Sequence, residues 1–234
     1  MKPVIFGLSG LTLTDDEKRL FRDVEPAGYI LFKRNIEDRA QVRALTDSLR
    51  DLHGRDDVPV LIDQEGGRVA RMRPPVWPDF PAGGAFDALY DLAPMTAIEA
   101  ARCNAEAIAL SLNEVGINVD CLPVLDVRVP ETHSAIGDRA LGSDPMRVAA
   151  LGRAILDGLA KGGVIGVVKH MPGQGRAVVD THHELPHVHA SGCRGKWPTI
   201  PAPSERGSDA AVMAARSTKT TLVCPMNSVW AGTS

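Results

Sequence analysis

Short apolar runs rich in Val, Ile and Leu alternate along the chain with longer segments whose apolar residues recur every three or four positions. Val4-Ile5-Phe6-Gly7-Leu8, Gly28-Tyr29-Ile30-Leu31-Phe32, Val58-Pro59-Val60-Leu61-Ile62, Ile117–Val127 and Val164-Ile165-Gly166-Val167-Val168 read as buried strands. The intervening segments read as amphipathic helices. One begins after Thr14, a candidate N-cap followed by Asp15, Asp16 and Glu17. A second carries Val42, Leu45, Leu49 and Leu52 on one face. A third has Pro94 in its first turn, an apolar stripe from Ile98 through Ala101, Ala105, Ile108 and Leu112 to Val115, and Gly116 just past its end. A fourth is capped by Ser143 or Asp144, starts at Pro145, buries Val148, Leu151, Ile155 and Leu159, and stops at Gly162-Gly163. Residues Met72 to Pro94, rich in proline with several glycines, read as a long structured loop. After His189 no period is sustained, although Thr221–Met226 reads as one further strand.

A βα rhythm of this kind is the signature of an α/β fold with a parallel sheet. Several runs end in charged residues: Lys33-Arg34, Asp63-Gln64-Glu65, Asp126 and Lys169-His170. In a closed (β/α)8 TIM-type barrel these ends converge on one mouth. A doubly wound open sheet is the competing architecture, but the G-x-G-x-x-G fingerprint after the first strand is absent. The barrel is therefore expected, in incomplete form, with about five to six βα units where eight close the ring. Residues 1–188 form the expected partial barrel domain and 189–234 a divergent, loosely structured tail.

Composition narrows the function. A formal charge of −3 with acids and bases interspersed gives no electrostatic footprint for nucleic acid or an anionic membrane. No apolar run approaches bilayer length and the N-terminus lacks a signal-peptide pattern, so a cytoplasmic location is expected. Cys103, Cys121, Cys193 and Cys224 are widely spaced, which fits reduced thiols better than a disulfide framework. Aromatic residues make up only 4%, leaving aliphatic side chains to fill the core.

The candidate chemistry lies at the strand ends. Asp180-Thr181-His182 follows the fifth strand in a glycine-rich loop, and a carboxylate beside an imidazole can orient it for proton transfer. Two surface loop residues would give the same text, but the neighbouring Lys169-His170 favours a site. Lys169 and His170 offer several donors to a hydroxyl-rich or anionic ligand; a snorkelling lysine beside a core-edge histidine is the alternative. Asp63-Gln64-Glu65-Gly66-Gly67-Arg68 joins carboxylates, able to accept sugar hydroxyls, to glycines that allow close backbone approach; a strand-end ion-pair network competes. His183, Glu184 and His187 match the zinc-protease pattern H-E-x-x-H. That chemistry needs both histidines on one helical face, and Pro186 would break the helix at a cost of about 3 kcal/mol. A zinc hydrolase is thus disfavoured, and neither metal nor cofactor is expected.

Taken in order, DQEGGRVAR at Asp63–Arg71, PVLDV at Pro123–Val127, AIGDRALG at Ala135–Gly142 and KHMPGQG with DTHHELP between Lys169 and Pro186 resemble glycoside hydrolase family 3. The likeness covers about residues 1–188 and is strongest to the bacterial cytoplasmic β-N-acetylglucosaminidases of peptidoglycan recycling. It implies a (β/α)8 barrel and retaining hydrolysis of terminal β-linked N-acetylglucosamine from muropeptides. By the same resemblance His182 is the acid/base, oriented by Asp180, and Asp63, Arg71, Arg139, Lys169 and His170 bind the sugar. Thr181 stands where the family pattern has Ser, and Gln174 where many relatives have His.

The resemblance also implies a nucleophilic Asp after a later strand, and nothing beyond His189 matches that motif. Retaining hydrolysis needs such a carboxylate. The reading that follows is a C-terminally truncated or frameshifted copy, with self-association expected through an unclosed barrel edge. A sugar-binding remnant without turnover is the alternative to an active glycosidase.

Overall fold

The computed structural model describes residues 1–171, 173–180 and 222–225. Its frame is one parallel sheet whose strands lie side by side in chain order: β1 (Lys2–Gly7), β2 (Pro26–Leu31), β3 (Val60–Ile62), β4 (Val119–Asp120), β5 (Ile165–Met171) and β6 (Leu222–Pro225). Registered pairs run Ile30 with Leu61, Leu61 with Val119, Val119 with Ile165 and Val167 with Leu222. The sheet curls into part of a (β/α)8 barrel wall, as the βα rhythm predicts. The last expected strand, Thr221–Met226, is β6. The expected domain boundary near residue 188 lies outside the described residues.

Alternation along each strand separates two cores. Tyr29, Leu31, Val60 and Ile62 point into the larger one, against the helices α1 (Asp15–Val24), α2 (Arg39–His53), α3 (Gly83–Leu92), α4 (Pro94–Glu114) and α5 (Pro145–Lys161). Ile30, Leu61, Val119, Cys121 and Val167 form a smaller cluster on the other face. The helix ends follow the sequence signals. Thr14 and Glu17 make a reciprocal capping box on α1. Asp144, not Ser143, caps α5 by accepting from the Arg147 N–H, with Pro145 in the first turn. Gly116 follows α4 with φ 78°.

Two expectations need correction. Residues Met72 to Pro94 are not all loop: Gly83–Leu92 is the helix α3. Its start carries two glycines and no side-chain cap, so it looks like loop text. Those glycines serve packing, because a Cβ at Gly83 would lie 2.5 Å from the Arg139 carbonyl oxygen. The fourth apolar run, expected as a strand over Ile117–Val127, keeps ladder geometry only at Val119–Asp120. Pro123 cannot donate to a ladder, and the chain rejoins the sheet at a single bridge between Val124 and Lys169.

Candidate functional site

Most of the charged residues singled out in the sequence gather where β3 and β5 end. Asp63 follows β3 directly, and Lys169 lies near the end of β5, two strands away. The Lys169 ammonium donates to Asp63 Oδ1 at 2.9 Å and also reaches Glu65 Oε1. Arg71 donates to the other Asp63 oxygen, Oδ2, at 3.1 Å. Arg139 grips both Glu65 oxygens at 2.8 Å and donates to the Ala135 carbonyl. The result is a chain of alternating charge, Arg71–Asp63–Lys169–Glu65–Arg139, in which Lys169 and Glu65 are buried and Asp63 partly so.

Burial by itself would raise the Asp63 and Glu65 carboxyls. The Lys169 ammonium, joined by Arg71 at Asp63 and by Arg139 at Glu65, outweighs burial and holds both below the ordinary carboxylate range. Burial likewise opposes the Lys169 charge, but Glu65 and Asp63 hold the ammonium above its ordinary value. Asp63, Glu65 and Lys169 are therefore all ionised at neutral pH.

Local structure keeps these groups in place. The Gln64 side chain accepts from the Arg71 and Met72 N–H groups at 2.9 and 3.0 Å and donates to the Met72 carbonyl. This folds the DQEGGRVAR segment back on itself. Gly66 and Gly67 make that turn at φ 96° and 57°, and a Cβ on Gly66 would meet the Pro81 carbonyl oxygen at 2.3 Å. Under the turn lies Asp120, the last residue of β4 and fully buried. Its Oδ1 accepts from the Gln64 N–H at 3.0 Å, while Oδ2 has no hydrogen-bond partner among the described residues. Burial pushes this carboxyl well above its ordinary range, helped by the charges of Asp63 and Glu65 and opposed by the Gln64 bond and Lys169.

His170 turns away from this chain of charges. The peptide joining it to Lys169 is cis, and its Nδ1 bonds Asp126 Oδ2 at 2.6 Å. Asp126 is the acid of the PVLDV motif. Beyond His170, Gly175 passes so close to Val127 that a Cβ would lie 1.9 Å from the Val127 carbonyl oxygen. His133 and Thr132 donate to the Ala177 and Gly175 carbonyls, fastening the same loop. Asp180 ends this fastened stretch and is partly buried. His182 and Thr181 lie outside the described residues, as do His183, Glu184 and His187 of the H-E-x-x-H text.

Of the seven expected site residues, the fold thus joins Asp63, Arg71, Arg139 and Lys169 in one network and sets His170 beside it on β5; Asp180 is the last described residue of the loop, and His182 lies outside the described residues. Glu65, Asp120 and Asp126 were missing from the expected set. Glu65 and Asp126 stood in motifs already singled out, whereas Asp120 inside an apolar run carried only the signal of being an acid where none should be. Lys33-Arg34, another charged strand end, stays apart: Arg34 donates to the Leu8 carbonyl and stacks over Phe32. Among the described residues no group of three or more His, Cys, Asp or Glu side chains is placed to hold a metal, and no helix is long and apolar enough to cross a membrane.

Known proteins carry the same arrangement of segments. A beta-hexosaminidase of Bordetella avium (strain 197N) is 39% identical over 186 residues, which cover 79% of this chain and 52% of the relative. The crystal structure of native NagZ from Neisseria gonorrhoeae superposes with a TM-score of 0.74 at 33% identity, over 79% of this chain and 53% of that one. The same gonococcal protein has been solved in complex with N-trifluoroacetyl-D-glucosamine, with a TM-score of 0.73, 33% identity and the same coverage of both chains. The chain spans about half the length of the curated relatives it matches. The pattern described as the glycosyl hydrolase family 3 N terminal domain matches residues 6–194, and with the parallel barrel wall and its strand-end charges this places the chain in glycosyl hydrolase family 3.

Proposed function

We propose that the strand-end charges form the saccharide site of a retaining β-N-acetylhexosaminidase that removes terminal β-linked N-acetylglucosamine from peptidoglycan fragments in the cytoplasm. The observation that carries this reading is the Lys169–Asp63–Arg71 arrangement: a carboxylate with both oxygens oriented by cations, in a family of glycosyl hydrolases. Such a carboxylate accepts two adjacent sugar hydroxyls without losing its charge, and Lys169 donates to a third. Arg139 stands behind, held by Glu65, and His170 flanks the pocket. His182, oriented by Asp180, gives a proton to the glycosidic oxygen as the leaving group departs and later takes one from the attacking water. A nucleophilic carboxylate must complete the retaining reaction. A second reading, carried by the same Asp63–Lys169 arrangement, is sugar binding without turnover.

Hydrolysis of 4-nitrophenyl N-acetyl-β-D-glucosaminide by the full chain tests the first reading. Turnover is expected to fall by about 10²–10⁴-fold in His182→Ala. N-Acetylglucosamine binding by calorimetry without turnover selects the second reading. Absence of both overturns the assignment of a saccharide site.

A further inference from the structure

Asp126 belongs to neither the sugar-binding set nor the proton-transfer pair, yet it is fully buried and uses both carboxylate oxygens. Oδ2 lies 2.6 Å from His170 Nδ1, and Oδ1 accepts the Gln174 backbone N–H at 2.5 Å. One side chain after β4 therefore holds the end of β5 and the glycine-rich loop together. We propose that Asp126 is a positioning residue that fixes the Nδ1–H tautomer of His170, leaving Nε2 as a hydrogen-bond acceptor, and clasps the loop leading to Asp180 in the same step.

The chemistry follows from donor and acceptor counting. A carboxylate facing a backbone N–H and an imidazole accepts from both, so a ring proton sits on Nδ1, and in the neutral ring Nε2 keeps its lone pair. His170 is about one-fifth exposed on its side chain, so the ring is not sealed from ligands. A sugar hydroxyl then donates to Nε2. The loop bond uses a backbone N–H, which explains why Gln174 serves where a histidine is common: any residue but proline supplies it.

Asp126→Asn separates positioning from mere filling. The Asn Oδ1 still accepts the Gln174 N–H, which turns its amide nitrogen toward His170 and forces the ring proton to Nε2. Nitrogen-15 NMR of the full chain, with His170 identified through its loss in His170→Gln, is expected to show Nδ1 protonated and Nε2 unprotonated in the parent, and the reverse in Asp126→Asn. A parent ring protonated at Nε2, or a variant with an unchanged pattern, overturns the proposal. The parent spectrum alone decides if the variant does not fold. The role in binding rests on the saccharide reading above, so N-acetylglucosamine is titrated into both proteins. A roughly tenfold weaker affinity in Asp126→Asn is expected, since a donor then faces a donor. A tautomer swap with equal affinity overturns the positioning role. Failure of the sugar to bind either protein overturns the saccharide reading instead, with the tautomer still decided by the spectrum.

Discussion

Lys169 and Asp63 meet at 2.9 Å although 106 positions separate them in the chain and β4 runs between their strands. The contact spans the sheet because both side chains leave the same end of parallel strands. With Glu65 it leaves Lys169 almost no access to water, 6% exposed.

Removing that ammonium strands the buried Glu65 carboxylate and the partly buried Asp63. Lys169→Met is expected to cost about 3–5 kcal/mol, the penalty for breaking a buried pair from one side. Urea denaturation followed by circular dichroism measures it, and a loss under about 1 kcal/mol would show that water relieves the carboxylates.

The same network sets the acid limb of stability. Asp63 and Glu65 ionise more readily in the fold than their ordinary values of 3.8 and 4.5. A depressed carboxylate contributes stability that is complete above its unfolded value and lost as pH falls through its folded one. The stability these two carboxylates contribute should therefore be complete above about pH 4.5 and fall below it in thermal melts. In Lys169→Met the folded values rise toward or past the unfolded ones, so the acid loss should shrink or reverse; an unchanged acid limb would detach these carboxylates from it.

Asp120 has the opposite sign. Its carboxyl is raised above 3.8, so the fold binds a proton that the unfolded chain releases, and stability drops as pH rises from about 4 toward the folded value. Asp120→Asn keeps the acceptor for the Gln64 N–H and removes the titration. The variant should gain stability over the parent as pH rises above about 4, with the gap widening toward the folded value. A constant gap across that range would mean that Asp120 is ionised in the fold.

Gly175→Ala tests the seating of the loop on Val127. An added Cβ at 1.9 Å from a carbonyl oxygen cannot be accommodated without moving backbone. A loss of about 1–3 kcal/mol is expected, together with faster hydrogen exchange at the Gln174 amide. Unchanged exchange would show that the loop holds without this contact.

The proposed site was partly legible in the sequence for a physical reason. Asp63, Arg71, Lys169 and His170 stand at the ends of apolar runs, where a buried strand gives way to solvent and a charge becomes affordable. Glu65 and Asp126 shared those motifs, but nothing in the text distinguished a residue that contacts ligand from one that supports its neighbour. Asp120 was hidden because strand periodicity counts it as an exception, not as a partner.

The sequence by itself determined the order of the strands and of every helix but α3, the cap at Thr14, the stop at Gly116, and which residues would be charged at the strand ends. These are local matters, set by side-chain periodicity and by unsatisfied groups at helix termini. Tertiary structure alone decided which charge meets which. Lys169 faces Asp63 and Glu65, Asp126 takes His170, and Gly83 meets Arg139 only once strand order and register bring distant segments within a few ångströms. Pairing energy depends on that approach and on the water it excludes, and neither is written in the spacing of residues along one chain.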